Sequence, residues 1–567
     1  MKPKIVLAQI EVRAGRPDLN LDKILETIKS ERNKKTEILV FSEMVVSGYL
    51  LGDEWENESF LKELQEANEI ITKTSKNIVV IWGNVEVDWS LKGEDGRVRK
   101  YNAVFIAQNG KLLGKSYKTL MPKYREFDDE RHFCSSQKLA EENKQKIEDV
   151  LRPFEVEIGR DKIKLGLMLC EDMWDTDYHI KPSEILVKNG AELLINISCS
   201  PWTFGKNDKR HRVVKEIIRK LGVPFYYCNN TGIQNNGKNI FVFDGASTIY
   251  GKNGEIEFQD QVFDDLYSAL VCGLKKFFET LPSKKVVIGL SGGIDSAVSA
   301  CLLVEALGKE NVLAINMPSK FNSGLTKNAA EKLAINLGVE YKVIPIQESV
   351  DKTVRQLTDI GLKPDSFAIE NIQARDRGGR ILAGVAACIG GVFVNNGNKT
   401  ETALGYATLY GDISGAIAPL GDLYKCQVYD LARYINREKE IIPREILEVV
   451  PSAELSEEQD VTAGKGDPIN YPYHDQLIEM FVEKRMDPEK ILNLYDQGGF
   501  REFFVDRAEF VKDLEHKWSL YKKNIFKRIQ APPIIVVSKR AFGFDLRESQ
   551  NGVYLTKEFL NKKKPLS

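Results

Sequence analysis

Short apolar runs alternate with stretches of helical period along the whole chain. In the first half the runs predict strands over 5–10, 38–41, 78–82, 103–107, 163–169, 193–197, 225–228 and 241–243, with a helix over 21–32. Runs this short suit buried strands, and their alternation with helices predicts a layered α/β architecture. Gly251-Lys252-Asn253-Gly254 reads as a hairpin turn. A connecting helix is expected over 260–278. Beyond it the alternation tightens: a strand that starts near Pro282-Ser283 and carries Val286-Val287-Ile288-Gly289-Leu290, a helix over 296–307, a strand over 312–316, a helix over 327–337 and a strand over 341–344. That is the pattern of an open parallel sheet with helices on both faces. The expected division is a first domain over 1–260, a linker over 261–281 and a second domain over 282–567. Residues 463–468 read as a loop.

Composition adds limits. A chain of 567 residues suits two or more cores. Hydrophobic residues make up 43 % and charged residues 29 %, the balance of a water-soluble globular protein. A net charge of -2 argues against a general nucleic-acid binder, and no apolar run is long enough for a membrane span. The eight cysteines show no paired C-x-x-C spacing, which predicts reduced thiols and a cytoplasmic protein.

Two sets of residues carry candidate chemistry. The first is Glu43, Lys118 and Cys170, of which Glu43 and Cys170 lie just beyond predicted strands. A thiolate attacks an amide well once its proton is removed, which a carboxylate in a dry pocket can do. Glu43 is the candidate base and later the acid for leaving ammonia. Lys118 is the candidate stabiliser of the tetrahedral oxyanion. Taken singly, a cysteine after an apolar strand is ordinarily core and a lysine ordinarily surface, and no spacing rule joins the three.

The surrounding text resembles the carbon-nitrogen hydrolase (nitrilase) superfamily. The matching segments are Phe41-Ser42-Glu43 with Ser47-Gly48-Tyr49, Gly114-Lys115-Ser116-Tyr117-Lys118 with Pro122, and Leu169-Cys170-Glu171-Asp172-Met173-Trp174. Their order matches too. The resemblance implies a four-layer α-β-β-α sandwich that takes the amide of glutamine. It implies a second acid that positions the lysine, for which Glu126 is preferred over Asp129. Tyr124, Ser198 and Ser200 match positions that line the glutamine pocket. Ser42 stands where proline is common and Cys199 where alanine is common; neither removes a catalytic group.

The second set is Ser291-Gly292-Gly293-Ile294-Asp295-Ser296, between a strand and a helix. Glycines let backbone N–H groups approach an anion, and the helix N-terminus adds positive potential. Ser291 and Ser296 add hydroxyl donors. Asp295 would repel phosphate unless a cation lay between them, which argues for Mg²⁺. The motif lacks the G-K-[ST] end of a Walker A loop. It resembles the ATP pyrophosphatases, which activate substrates as adenylates.

Downstream segments narrow that group. Glu370-Asn371-Ile372-Gln373-Ala374-Arg375-Asp376-Arg377, Asn396-Gly397-Asn398-Lys399-Thr400-Glu401 and Gly405-Tyr406-Ala407-Thr408-Leu409-Tyr410-Gly411-Asp412 resemble NAD synthetase motifs. Pro451 to Leu455 and Arg540 to Gly543 also match. The resemblance runs from about residue 4 to residue 556 and covers both halves, as in glutamine-dependent members of that family. It implies ATP and Mg²⁺, with Asp295 and Glu401 as metal ligands and Thr400 near the ATP phosphates. It places Asn371, Arg377, Lys399 and Lys539 at the dinucleotide, with Lys399 neutralising phosphate. The implied reaction adenylates the carboxylate of nicotinic acid adenine dinucleotide, and ammonia then displaces AMP. A homo-oligomer with a protected route for ammonia is expected. Asn322, Asn328 and Cys426 depart from common residues, while Lys425 is kept.

Two other readings compete: an ATP-dependent amidotransferase for another carboxylate, and a scaffold that has lost catalysis. The motifs over 370–377 and 396–401 oppose the first. Retention of Lys118, Cys170 and Asp295 opposes the second.

Overall fold

A computed structural model of the chain describes residues 3–260, 263, 265–456, 459 and 461–564. Positions 261, 262 and 264 of the expected linker, and the chain ends at 1–2 and 565–567, lie outside the described residues. The chain forms two compact units, one of residues 1–236 and 241–265, the other of 237–240 and 266–567.

The first unit is built on two sheets. One has five strands in the order Ile5–Leu7, Ile38–Val40, Val79–Lys92, Val98–Gln108 and Lys111–Tyr117. Its first three strands are parallel and the rest antiparallel. The other has six, in the order Ile256–Gln259, Thr248–Tyr250, Phe225–Asn229, Leu193–Ser198, Asp161–Leu169 and Phe154–Ile158. Alternation along each strand decides the layers. Val79, Ile81, Val104 and Ile106 face Leu165, Leu167, Leu169, Ile195 and Ile197 in the core between the sheets. The opposite residues, Met168, Leu194, Phe225 and Tyr227, turn outward onto Leu186, Val214 and Ile218 of helices Pro182–Lys188 and Lys206–Leu221. On the other outer face, Trp82 stacks on Phe105 and donates its indole N–H to Asn68 of helix Glu58–Thr74 at 2.8 Å. Helix, sheet, sheet and helix therefore form the expected four layers. The turn at 251–254 joins the antiparallel strands Thr248–Tyr250 and Ile256–Gln259.

The second unit centres on a parallel sheet in the order Glu340–Val343, Val312–Asn316, Val286–Gly289 and Val392–Phe393. The chain winds outward in one direction from Val286–Gly289 and returns on its other side as Val392–Phe393. This reversal opens a crevice at the carboxyl ends of those two strands, where ligands of such sheets bind. The loop Ser291-Gly292-Gly293 leaves the central strand there and enters helix Ile294–Leu307. Val287, Ile315, Ile381, Leu382 and Ala386 pack one face of the sheet. Helices Tyr471–Val482, Pro488–Asp496 and Arg507–Lys523 build a further core around Tyr473, Tyr495, Phe500 and Phe510. The helix expected over 260–278 spans Leu266–Glu279 and groups with this second unit.

Candidate functional site

In the first unit, strand ends bring the predicted residues together. Leu169 pairs with Ile197, so Cys170 and Ser198 leave adjacent parallel strands side by side. Cys170 has φ 40°, a left-handed conformation that a residue with a Cβ holds only when its surroundings impose it. Glu43 follows strand Ile38–Val40 and is fully buried. Gly83 makes room for it: a Cβ there would lie 2.6 Å from Glu43 Cα. Lys118 follows strand Lys111–Tyr117, with its backbone N–H on Asn102 O at 2.9 Å.

The Lys118 ammonium donates to Glu43 Oε1 at 2.9 Å and to Asp129 Oδ2 at 2.6 Å. The acid seen on the lysine beside Glu43 is thus Asp129, where the sequence reading preferred Glu126. The reason is local: Asp129 opens the short helix Asp129–His132, and Tyr49 holds its other oxygen through a hydroxyl at 2.9 Å. Glu126 is buried and pairs with Arg125 at 3.4 Å. Burial disfavours the Lys118 charge, but Asp129 and Glu43 outweigh it and hold the ammonium well above the ordinary lysine range. Burial, and next the Glu43 charge, push the Cys170 thiol up, while Lys118 draws it down.

Glu43 is held from three sides. Besides Lys118, Asn102 Nδ2 donates to Oε1 at 2.7 Å and the Cys199 N–H donates to Oε2 at 2.7 Å. The sequence reading missed Asn102, whose signal was a polar residue inside the apolar strand Tyr101-Asn102-Ala103-Val104. It also gave Cys199 no role; the backbone N–H, not the thiol, is what acts. Tyr124 donates its hydroxyl to Glu171 Oε2 at 2.9 Å, and Tyr178 donates to Glu171 Oε1 at 3.0 Å. Ser198 accepts from Asn196 at 2.9 Å, and the Ser200 backbone is fixed by Asn229 at 2.8 and 3.0 Å.

In the second unit a cavity of about 730 Å³ opens over the parallel sheet. That volume is within the range of small-molecule sites. Ser291, Gly293, Asp295, Ser296, Asn371, Arg377, Glu401 and Lys425 line it, and Lys238 reaches it from the short segment 237–240. The Gly293 N–H bonds Ser291 Oγ at 3.2 Å, and the Ser291 and Ser296 hydroxyls lie 3.1 Å apart. Gly292 supports the loop from behind: it has φ +89°, and a Cβ would meet Thr326 O at 2.1 Å. Arg377 donates to Met317 O at 3.0 Å and Asn322 Oδ1 at 3.1 Å, so Asn322 works as its acceptor. Burial draws the Arg377 guanidinium down to about 10.

Lys425 is the central cation. Its ammonium donates to Asp295 Oδ2 at 2.5 Å and Glu401 Oε1 at 2.9 Å, over the Tyr471 ring at 4.8 Å. The single Tyr471 hydroxyl lies between two carboxylates, 2.9 Å from Asp467 Oδ2 and 3.2 Å from Glu401 Oε1. Burial pushes the Glu401 carboxyl up, and Lys425 pulls it back. Burial opposes the Lys425 charge, yet Asp295 and Glu401 raise it above the usual lysine range.

Three of the predicted residues do not line this cavity. Lys399 does not meet the cavity: it is fully buried, held by Asp422 Oδ1 at 2.9 Å, Glu483 Oε1 at 3.2 Å, Ser538 Oγ at 2.7 Å and Arg540 O at 2.7 Å. Thr400 is buried on Asp475 Oδ1 and accepts the Lys425 N–H, so it orients the lysine rather than lining the wall. Lys539 is exposed, beside the turn that Lys399 pins through Ser538 and Arg540, and does not line the cavity. The first two lie at the start of helix Lys399–Leu404, of which Glu401, Thr402 and Leu404 line the cavity.

Comparison with known proteins matches both units. Residues 4–260 match the carbon-nitrogen hydrolase family model and residues 266–521 the NAD synthase model. A glutamine-dependent NAD(+) synthetase of Synechocystis sp. is 31 % identical, covering 95 % of this chain and 97 % of that one. Its counterpart from Thermotoga maritima is 30 % identical over 96 % and 97 %. The solved glutamine-dependent NAD+ synthetase of Acinetobacter baumannii, in complex with adenosine diphosphate, superposes with a TM-score of 0.70 and 26 % identity, covering 97 % and 99 %. With both units matched, in order and over nearly the full length, the chain belongs to the glutamine-dependent NAD(+) synthetase family.

Proposed function

We propose that this chain hydrolyses glutamine at Cys170 and uses the ammonia in its second unit to amidate nicotinic acid adenine dinucleotide to NAD+ at the expense of ATP. The observation that carries the first half is the buried Glu43–Lys118–Asp129 chain beside a strained cysteine. Glu43 takes the Cys170 proton as sulfur attacks the glutamine side-chain carbonyl. An ammonium has three donors, and Glu43 and Asp129 use two of those on Lys118. The third is left for the oxyanion. Collapse breaks the C–N bond, and Glu43 returns its proton to the departing nitrogen, releasing NH₃. Glu43 then takes a proton from water as the hydroxide attacks the thioester. Glutamate leaves, and the proton goes back to sulfur.

In the second unit, the Ser291–Ser296 loop is read as the cradle of the ATP pyrophosphate. Lys425 stands where phosphate charge would gather. The substrate carboxylate attacks the α-phosphorus and expels pyrophosphate. Ammonia then attacks the acyl carbon, expelling AMP and losing a proton, to leave the amide.

Among the described residues no cluster of three or more His, Cys, Asp or Glu side chains is placed to hold a metal. Asp295 and Glu401 nevertheless offer two carboxylates at the cavity wall, a donor set that suits Mg²⁺ when phosphate oxygens complete it. Bound there, Mg²⁺ would neutralise phosphate charge during adenylation. The proposal extends to a homo-oligomer of the cytoplasm. No disulfide joins the eight cysteines, and no described helix is long and apolar enough to cross a membrane.

The test is stoichiometry. With glutamine, ATP, Mg²⁺ and nicotinic acid adenine dinucleotide, NAD+, AMP, pyrophosphate and glutamate should appear together. ADP and orthophosphate in place of AMP and pyrophosphate would overturn the adenylation reading.

A further inference from the structure

Asp172 is buried two residues beyond the nucleophile, and the reaction as derived above gives it no role. Its carboxylate meets three backbone N–H groups. Oδ1 accepts from Thr119 at 3.1 Å and from Leu120 at 2.8 Å, and Oδ2 accepts from Leu169 at 3.1 Å. Leu169 is the residue before Cys170. Thr119 is the residue after Lys118. One side chain thus joins the two segments that present the nucleophile and the ammonium.

The need for such a joint follows from the backbone. The segment after strand Lys111–Tyr117 leaves regular pairing at Thr119 and Leu120, so their donors require an acceptor from elsewhere. Cys170 begins the tight turn Cys170–Met173 at φ 40°. A conformation of that kind persists only where its surroundings over-determine it. Tying the Leu169 N–H fixes the peptide that enters the turn, and the same carboxylate fixes the lysine segment relative to it. Burial pushes the Asp172 carboxyl up to about 7, against the three N–H groups that favour its charge.

We infer that Asp172 is a positioning residue for glutamine hydrolysis, setting the Cys170 turn against the Lys118 segment through Leu169, Thr119 and Leu120. This rests on the reading of Cys170 as the glutaminase nucleophile. Asparagine is the informative replacement. It has nearly the same shape, but one oxygen becomes an NH₂. Whichever way the amide turns, a donor then faces a backbone donor.

The experiment compares wild type, Asp172→Asn and Cys170→Ala as full-length chains. The readouts are glutamate release, ammonium-dependent NAD+ formation, and the rate of Cys170 alkylation by iodoacetamide. For Asp172→Asn, kcat for glutamate release should fall at least tenfold with KM for glutamine within about threefold, since Asp172 is placed to act on the turn rather than on glutamine. Alkylation should slow in parallel, and the ammonium-dependent rate should stay at the wild-type level. A kcat within twofold of wild type, or a change confined to KM, would overturn the inference. Equal loss of the glutamine and ammonium activities would also overturn it, because that is general damage. If Asp172→Asn does not fold, Asp172→Glu carries the test: it keeps the acceptors but moves them by one methylene, and an unchanged kcat there refutes the positioning role. If Cys170→Ala keeps glutamate release, it is the nucleophile assignment that fails. If only Asp172→Asn keeps it, the clamp alone fails.

Discussion

Lys118 Nζ lies 2.9 Å from Glu43 Oε1 with both side chains out of contact with water. The buried Lys118 ammonium is shared by two carboxylates, Glu43 and Asp129, so a thiolate at Cys170 would add a further negative charge. Burial and the Glu43 charge raise the Cys170 thiol, which favours its protonated form until Glu43 takes the proton in the proposed attack.

Lys118→Met should remove glutamine-dependent NAD+ formation by a factor of about 10² or more, the scale of a lost oxyanion donor. It also strands two buried carboxylates, so the first unit should lose roughly 3–5 kcal/mol of stability. Steady-state assays and denaturant unfolding check both. A variant as stable as wild type would contradict the buried ion-pair account.

Asp129→Asn should lower kcat for glutamate release about tenfold or more, because it unsettles the lysine. Tyr49→Phe, which removes only the hydroxyl on Asp129, should cost less, about 1 kcal/mol or under tenfold. If Tyr49→Phe proved the more damaging of the two, the hydroxyl would need a role beyond orienting Asp129.

Lys399 and Lys425 should separate cleanly. Lys399→Met should destabilise the second unit by roughly 3–5 kcal/mol, since Asp422 and Glu483 lose their buried partner, with little change in KM for ATP where the protein stays folded. Lys425→Met should abolish NAD+ formation with glutamine and with ammonium alike, while glutamate release continues. A large rise in KM for ATP in Lys399→Met would restore the phosphate role that its burial opposes.

Stability should also depend on pH through Asp172. Its carboxyl is raised to about 7 in the folded chain, against an ordinary value near 3.8, so the fold binds this proton more tightly than the unfolded chain does. The contribution is fully present below about pH 4 and is lost as pH rises to about 7. Asp172→Asn should flatten the stability profile across that window. An unchanged slope in the variant would show that Asp172 is ionised throughout.

Much of this was legible in the sequence for a physical reason. Val312–Asn316 and Leu193–Ser198 are apolar on both faces because both faces are covered, so the runs themselves mark the strands. Cys170 and the Ser291–Ser296 loop follow such runs, and strand ends are where chemistry gathers. What stayed hidden depends on direction and partner. Lys399 and Lys425 are both lysines in matching segments, and only packing shows one pinned by Asp422 and the other facing Asp295. Asp129 and Glu126 are three residues apart in one acidic stretch, and no periodicity says which turns to Lys118. Strand Lys111–Tyr117 is half exposed along its length and gave no apolar alternation to read.

The most direct test of the two-site account is NAD+ formation by wild type and Cys170→Ala, each supplied with glutamine or with an ammonium salt. The account predicts that wild type makes NAD+ from both sources and that the variant makes it only from ammonium, at the wild-type rate. NAD+ formation from glutamine by Cys170→Ala would contradict it.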